Sequence, residues 1–306
     1  MLGAPNDAHA RRQALRRALA TGELQQFPGA FNALSAMLIE RLGFPGVYVS
    51  GAVIAADLGL PDIGLTTLSE VASRAGVIAH STALPTLVDA DTGFGEPMNA
   101  GRAVQILEDA GISGCHIEDQ VNPKRCGHLD GKEIVGADEM VRRVRAATGA
   151  RRDPEFVLCA RTDARATEGL AGMIERAKAY VDAGADMLFP EALADEREFA
   201  AVRAAIDVPI LANMTEFGKS KLLGRSTLVD LGVNVVIYPV TLFRLAMGAA
   251  EEGLRSILDV GDQSAVIDRM QTRAELYELL DYEGYNAFDS SIFNFTLTGN
   301  EEDPHG

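Results

Sequence analysis

Pro85-Thr-Leu-Val-Asp-Ala-Asp91 and Gly114-Cys-His-Ile-Glu118 decide how this chain folds. Each is a short, apolar, β-rich run that finishes in carboxylates. The stretch between them closes at Gly111, where a helix C-terminus takes glycine. Strand, helix, strand is the unit of a parallel sheet. The same unit recurs in both directions along the chain. Pro28-Gly-Ala-Phe31 and Gly46-Val-Tyr-Val-Ser50 come before it. Phe156-Val-Leu-Cys-Ala-Arg161, Met187-Leu-Phe-Pro-Glu191, Pro209-Ile-Leu-Ala-Asn213 and Val235-Val-Ile-Tyr-Pro239 come after it, making eight strand candidates. Apolar residues at three- and four-residue spacing mark helices between them, as at Val141, Val144, Ala147 and at Ile174, Ala177, Val181. An open α/β sheet is the competing arrangement. Eight units favour closure into a (β/α)8 TIM barrel. Beyond about residue 256 no strand unit follows, and Val266, Met270, Leu276 and Leu280 predict one or two further helices. The tail from Gly299 reads as disordered. No repeat or low-complexity linker interrupts the 306 residues, so the expectation is a single domain over 1–306.

The net charge is -16, and no Lys/Arg run forms the basic face that nucleic acid would need. No apolar run approaches the roughly 18 residues of a membrane span. The three cysteines, Cys115, Cys126 and Cys159, are too few and odd in number for a disulfide framework. They fit a reducing, cytoplasmic setting. Arg11, Arg12, Arg16 and Arg17 lie on an amphipathic stretch that reads as an ordinary solvated first helix.

Polar groups gather where the strand candidates end. They are Tyr48 and Ser50, Asp89 and Asp91, His116 and Glu118, Arg161 and Asp163, Glu191, Asn213 and Thr215, and Tyr238 with Arg244 beyond it. Chance would scatter them over both ends, whereas barrel enzymes build their site at the C-terminal rim. Asp89 and Asp91 are two apart, so a strand points both to one face. With Glu118 on the next strand they make an oxygen-rich set suited to Mg²⁺ or Mn²⁺ rather than Zn²⁺. The plainer alternative is that the aspartates cap turns or pair with Arg161.

Lys124-Arg-Cys-Gly-His128 reads as a polar loop over the barrel mouth, without apolar shielding for Lys124. Cys126 lies in a positive field that lowers a thiol pKa, although an exposed bystander is the alternative. Cys115 and Cys159 have apolar neighbours and read as core. Gly93 and Gly95 lack a third dinucleotide-binding glycine and read as shaping the loop after the third strand. No phosphate-binding Gly-Lys-Ser/Thr and no Gly-x-Ser-x-Gly elbow is present.

These motifs resemble the isocitrate lyase/phosphoenolpyruvate mutase superfamily, and within it the 2-methylisocitrate lyases. The resemblance runs from about Phe27 to Tyr285 and rests on several stretches. They are Tyr48-Val-Ser-Gly51, Leu58-Gly-Leu-Pro-Asp62, Leu87-Val-Asp-Ala-Asp-Thr-Gly-Phe-Gly95, His116-Ile-Glu-Asp-Gln120 and Lys124-Arg-Cys-Gly-His128. Ala160-Arg-Thr-Asp163, Met187-Leu-Phe-Pro-Glu191, Asn213-Met-Thr-Glu-Phe-Gly218 and Met270-Gln-Thr-Arg273 extend it. The cysteine loop together with Asp-x-Asp resembles the lyases rather than the mutases.

The resemblance implies a tricarboxylate lyase, with an eighth helix exchanged between subunits of a dimer-of-dimers homotetramer. It implies Mg²⁺, with Mn²⁺ as a substitute, held by Asp89 with Asp91, Glu118 and Asp62 in support. It places Ser50, Gly51, Ala52, Cys126, Gly127, Arg161, Glu191, Asn213, Thr215, Arg244 and Arg273 around the substrate. These lyases often read Ser-Gly-Gly where this chain has Ser50-Gly51-Ala52, but a backbone amide at Ala52 would still serve. Candidate catalytic groups are Cys126 as general acid and Tyr48 as base, with Glu118, Lys124 and His128. Phe189, Ile237 and Pro239 resemble a methyl-accepting pocket. Relatives acting on isocitrate, 2,3-dimethylmalate or oxaloacetate are the nearest alternatives, and a silent barrel scaffold is a remote one.

Overall fold

A computed structural model describes residues 7–125, 131–218 and 220–294. The chain divides into two compact units, Asn6–Leu254 and a C-terminal segment from Arg255, and each is described by itself. The first unit runs α1 (Ala8–Ala20), β1 (Gln25–Pro28), α2 (Ala33–Arg41), β2 (Val47–Val49), α3 (Gly51–Asp57), α4 (Leu68–His80) and β3 (Thr86–Asp89). It continues through α5 (Pro97–Asp109), β4 (Gly114–Glu118), α6 (Ala137–Gly149), β5 (Val157–Thr162), α7 (Arg165–Asp182) and β6 (Met187–Pro190). It ends with α8 (Glu196–Ala205), β7 (Leu211–Asn213), α9 (Arg225–Asp230), β8 (Val235–Tyr238) and α10 (Thr241–Val260), whose last turns pass into the second unit. The second unit adds a 3-10 turn at Ser264–Arg269, α11 (Arg273–Leu279) and α12 (Tyr282–Phe293). None of these helices is long and apolar enough to cross a membrane, among the described residues.

Every strand pairing is parallel. β2 to β6 pair in sequence, and β7 pairs β8, which pairs β1. Single bridges at Gly29–Tyr48 and Leu188–Ile210 join the two sheets and close the ring into a barrel. The first strand begins three residues before the expected Pro28, at Gln25. Two glutamines hid it: Gln25 and Gln26 are polar, yet their backbones pair with Val235 and Val236.

Alternation along the strands sorts the side chains. Tyr48, Leu87, Val157, Cys159, Phe189, Leu211, Val235 and Ile237 form the barrel's interior cluster. The residues between them, such as Val49, Val88, Ile117, Leu158 and Ala160, pack in the layer beneath the helices. Both described cysteines are buried as expected, but in different layers: Cys115 lies under the helices and Cys159 in the barrel interior.

The first helix is not a solvated one. Leu15 and Leu19 enter the interior cluster and plug the N-terminal end of the barrel. Arg11 and Arg12 are buried. Arg11 donates to the Gly111 carbonyl, and Arg12 to the carbonyls of Ile112 and Glu108. Arg12 also pairs with Asp153 at 2.8 Å, and Arg16 with Asp186 at 2.8 Å. These acceptors lie just before β4, β5 and β6. The arginines thus donate to carbonyls at the end of α5 and in the turn that leads to β4, which their charge alone did not reveal. Asp7 starts the helix by accepting from the amides of His9 and Ala10.

Leu15 is 1% exposed within that plug. Leu15→Ala should lower unfolding stability by about 2–5 kcal/mol, the range for a buried leucine whose site cannot collapse. Chemical denaturation showing no loss would mean that α1 does not seal the barrel.

Candidate active site

The inward parity of the strands carries through to their C-terminal ends, where the interior turns from apolar to charged. Tyr48 from β2, Asp89 from β3, His116 and Glu118 from β4, Arg161 from β5 and Glu191 after β6 are all buried there. Register aligns them, with Asp89 opposite His116 and Glu118 opposite Arg161. Asp91 follows β3 in a left-handed conformation, φ 45°, which aspartate tolerates better than bulky residues. Its amide donates to Asp89 Oδ1 at 3.0 Å, and Thr66 donates to its Oδ2 at 3.4 Å.

Arg161 is the central cation. It pairs with Asp163 at 2.9 Å, Glu118 Oε2 at 3.2 Å and Glu191 Oε2 at 3.4 Å, and lies 5.1 Å over the Phe189 ring. Lys132, which the sequence did not single out, holds Asp163 from the other side at 2.8 Å. Asn213 donates to Glu191 at 3.5 Å. The alternative in which Asp89 and Asp91 pair with Arg161 is not seen among the described residues; Arg161 pairs with Glu118, Asp163 and Glu191.

Lys124 departs from its expected place in an unshielded loop. It is 4% exposed, and its ammonium stands between Asp62, with which it makes a very short contact, and Asp91 Oδ1 at 2.9 Å. Burial works against its charge, but Asp91, Asp89, Glu118 and Asp62 outweigh burial and keep it protonated.

The carboxylates respond differently to this setting. Burial would raise Asp89, yet His116, Lys124 and Arg161 hold it below the usual range. Burial, with the charge of Asp89 and Asp62 added, pushes Asp91 up to about 6 against the pull of Lys124. Glu118 is driven well above the carboxylate range, first by burial and then by Asp163 and Asp89. Neither Glu118 oxygen accepts a hydrogen bond, and Asp91 Oδ1 has none of good geometry. Asp91 Oδ1 and Glu118 Oε2 face the cations Lys124 and Arg161 without a well-formed hydrogen bond, and Glu118 Oε1 is a buried acceptor open to a further cation. Asp62, Asp89, Asp91, Glu118, Asp163 and Glu191 outnumber Lys124, Lys132 and Arg161. The donor set is all oxygen, so a hard divalent ion fits it. Among the described residues no three acidic, His or Cys side chains are yet gathered around one point. The Lys124 ammonium lies among them instead.

His116 was visible as a strand-end residue but not assigned a role. Tyr48 Oη lies 2.8 Å from its Nε2, and Asp89 Oδ1 lies 3.7 Å from its Nδ1. Burial pushes the imidazole down to about 4 and the Tyr48 phenol well above its ordinary value. Both are neutral near pH 7. The signal for His116 was its spacing: two residues before Glu118, it shares the inward face.

Gly51 opens α3 against the acids, its amide 3.3 Å from Asp89 Oδ2. A Cβ there would lie 2.9 Å from that oxygen, which explains the glycine. Ser50 is buried beside it, and Ala52 follows in the first turn of α3. Thr215 is half-buried just past β7. Arg244 is exposed and engaged with Glu216, donating to its carbonyl at 2.7 Å and its carboxylate at 3.0 Å. Arg273 opens α11 in the second unit, which is described by itself. Cys126, Gly127 and His128, and the tail from Gly299, lie outside the described residues.

A model of the phosphoenolpyruvate phosphomutase family matches residues 15–258. The chain belongs to that family. It is 63% identical over 286 residues to a probable 2-methylisocitrate lyase 2 of Corynebacterium glutamicum, covering 94% of this chain and 93% of that protein. It is 46% identical over 287 residues to the 2-methylisocitrate lyase of Escherichia coli, covering 93% and 97%. An oxaloacetate acetylhydrolase structure superposes with a TM-score of 0.88 at 33% identity, covering 94% and 99%. A phosphonopyruvate hydrolase in complex with oxalate and Mg²⁺ superposes at 0.83 with 30% identity, covering 92% and 98%.

The neutral His116 has a pH signature. An unfolded histidine takes its proton near 6.5, this one only near 4. The stability tied to the neutral ring is therefore full above pH 6.5 and drains as pH falls from 6.5 toward 4. A ring-nitrogen NMR titration should show one histidine still uncharged at about pH 5. Ordinary titration of all five histidines would contradict its burial beside Tyr48.

Proposed function

We propose that this chain is a divalent-metal-dependent carbon–carbon lyase that splits 2-methylisocitrate into pyruvate and succinate. The observation that carries the reading is the buried rim cluster: Asp89, Asp91 and Glu118 beside Arg161, with undersatisfied acid oxygens. The two relatives that bear the lyase name support the substrate, since both cover nearly the whole chain. The Mg²⁺ in the phosphonopyruvate hydrolase complex supports the metal. Asp89 would hold the ion, with Asp91, Glu118 and Asp62 in support; Mn²⁺ would substitute on the same oxygens. When bound, the ion supplies Lewis-acid polarisation of the substrate's hydroxyl and carboxylate oxygens.

The chain's own groups then divide the proton work. The 2-hydroxyl proton passes to Tyr48 Oη while Tyr48 gives its own proton to His116 Nε2, which the 2.8 Å contact supports. A neutral phenol keeps its proton unless a partner takes it, so His116 completes the assignment, with the nearby Asp89 charge favouring the protonated ring against burial. The C2–C3 bond breaks, its electron pair leaves with the succinate fragment, and the hydroxyl oxygen becomes the pyruvate carbonyl. Cys126 supplies a proton to the carbanion carbon as general acid, with Lys124 and His128 setting its charge environment. Arg161, Asn213 and Thr215 orient substrate carboxylates, with Ser50, Gly51, Ala52 and Gly127 offering short donors. Glu191 holds Arg161 and Asn213 in place. Arg244 becomes available if substrate displaces Glu216, and Arg273 joins through assembly. We place the enzyme in the cytoplasm as a homotetramer with an exchanged eighth helix. The unburied apolar residues of α10, including Leu245, Met247, Leu254 and Leu258, favour that assembly.

Pyruvate release under Mg²⁺ should be fastest from 2-methylisocitrate when compared with isocitrate, oxaloacetate and 2,3-dimethylmalate. A faster rate on any of the other three would reassign the substrate. Phe189 and Ile237 face the barrel interior, where one methyl group is worth about 1–3 kcal/mol of discrimination. Asp89→Ala should abolish Mg²⁺-dependent turnover; full activity in chelator would remove the metal from the account. Cys126→Ser should lower kcat by about 10²–10⁴-fold while substrate still binds. An unchanged kcat would exclude the thiol as the acid.

A further inference from the structure

The burial of Lys124 among the acids is not explained by the charge that it lends Cys126 in the proposed reaction. A lysine in a polar loop normally leaves its ammonium in water. Here it is buried, and it reaches the same carboxylates that would support a metal ion. Its Nζ lies 2.9 Å from Asp91 Oδ1 and closer still to Asp62. Its single charge faces two carboxylates, and Asp89 lies beside them. A cavity of about 360 Å³, walled by Thr66, Asn99, Arg102 and Asn122, shares one acid, Asp91, with the cluster.

From this geometry we propose that Lys124 is a built-in competitor of the divalent cation. Its ammonium offsets part of the charge of Asp62 and Asp91 in the metal-free chain, and it opposes metal binding to the cluster. The inference rests on the divalent-metal reading above. Two cations that share the same oxygens are coupled unfavourably, and the coupling is reciprocal. Metal loading then weakens the hold of the carboxylates on Lys124, and removing Lys124 strengthens their hold on metal. Without either cation the acids repel one another in a poorly solvated site. Lys124 is therefore a positioning residue for the empty cluster.

The test is calorimetric titration of MgCl₂ into the full, substrate-free chain. Lys124→Gln should bind Mg²⁺ at least about tenfold more tightly than wild type, because a neighbouring positive charge is gone. Lys124→Arg should restore the weaker binding. The melting temperature of Lys124→Gln should also rise more on adding Mg²⁺ than that of wild type. A reciprocal reading needs no substitution: Mg²⁺ should increase acetic anhydride labelling of Lys124 in the wild-type chain, followed by peptide mass spectrometry. Unchanged or weaker Mg²⁺ binding by Lys124→Gln, or unchanged labelling, would overturn the proposal while leaving the metal reading intact. No Mg²⁺ binding by wild type or variant would overturn both.

Discussion

The pairing of Glu118 with Arg161 across β4 and β5 is the contact on which the rim of this barrel depends. A carboxylate that is wholly buried is costly in its charged form, and Glu118 shows it by its strongly raised pKa. Arg161 spreads one positive charge over Glu118, Asp163 and Glu191, while Lys132 adds a second to Asp163. Removing Arg161 would leave several acids facing each other without water. Phe189, beneath the guanidinium, completes its seat and separates the charged rim from the apolar interior.

This arrangement joins stability to chemistry. Below the rim, alternate residues fill the barrel with Leu87, Val157, Met187, Leu211 and Val235, and α1 seals the far end with Leu15 and Leu19. Above it, the same inward positions carry ionisable groups whose charges do not balance among themselves. A scaffold of parallel strands can hold such groups within hydrogen-bonding distance because the sheet fixes their spacing, and the apolar plug supplies the folding energy that they do not. The family's members put different reactions on one fold, as the names of the superposing structures show. Site groups, not the barrel, must therefore decide the chemistry.

Most of the site was legible because β-strands have a period of two. Asp89 and Asp91, His116 and Glu118, and Arg161 and Asp163 could be placed at one end of the strands from spacing alone. The first strand and first helix were less legible. Gln25 and Gln26 look like loop residues, and they belong to the sheet because only their backbones pair with β8. Arg11 and Arg12 look like solvent-facing residues, and they are buried where they donate to the carbonyls of Gly111, Ile112 and Glu108. Neither contact exists until distant segments meet.

Sequence alone therefore determined the strand–helix alternation, the end of the strands at which the polar residues collect, and the likeness to a family of lyases. The first two follow from local periodicity, which a chain carries within a few residues of itself, and the third from the motifs that carry the resemblance. The tertiary structure decided closure of the ring, the Tyr48–His116 contact, the diverging ionisation of Asp89 and Glu118, and the burial of Lys124 against Asp62 and Asp91. Those depend on which side chains are brought within a few ångströms of each other and on how much water is removed between them. Both quantities are set by packing between segments tens of residues apart.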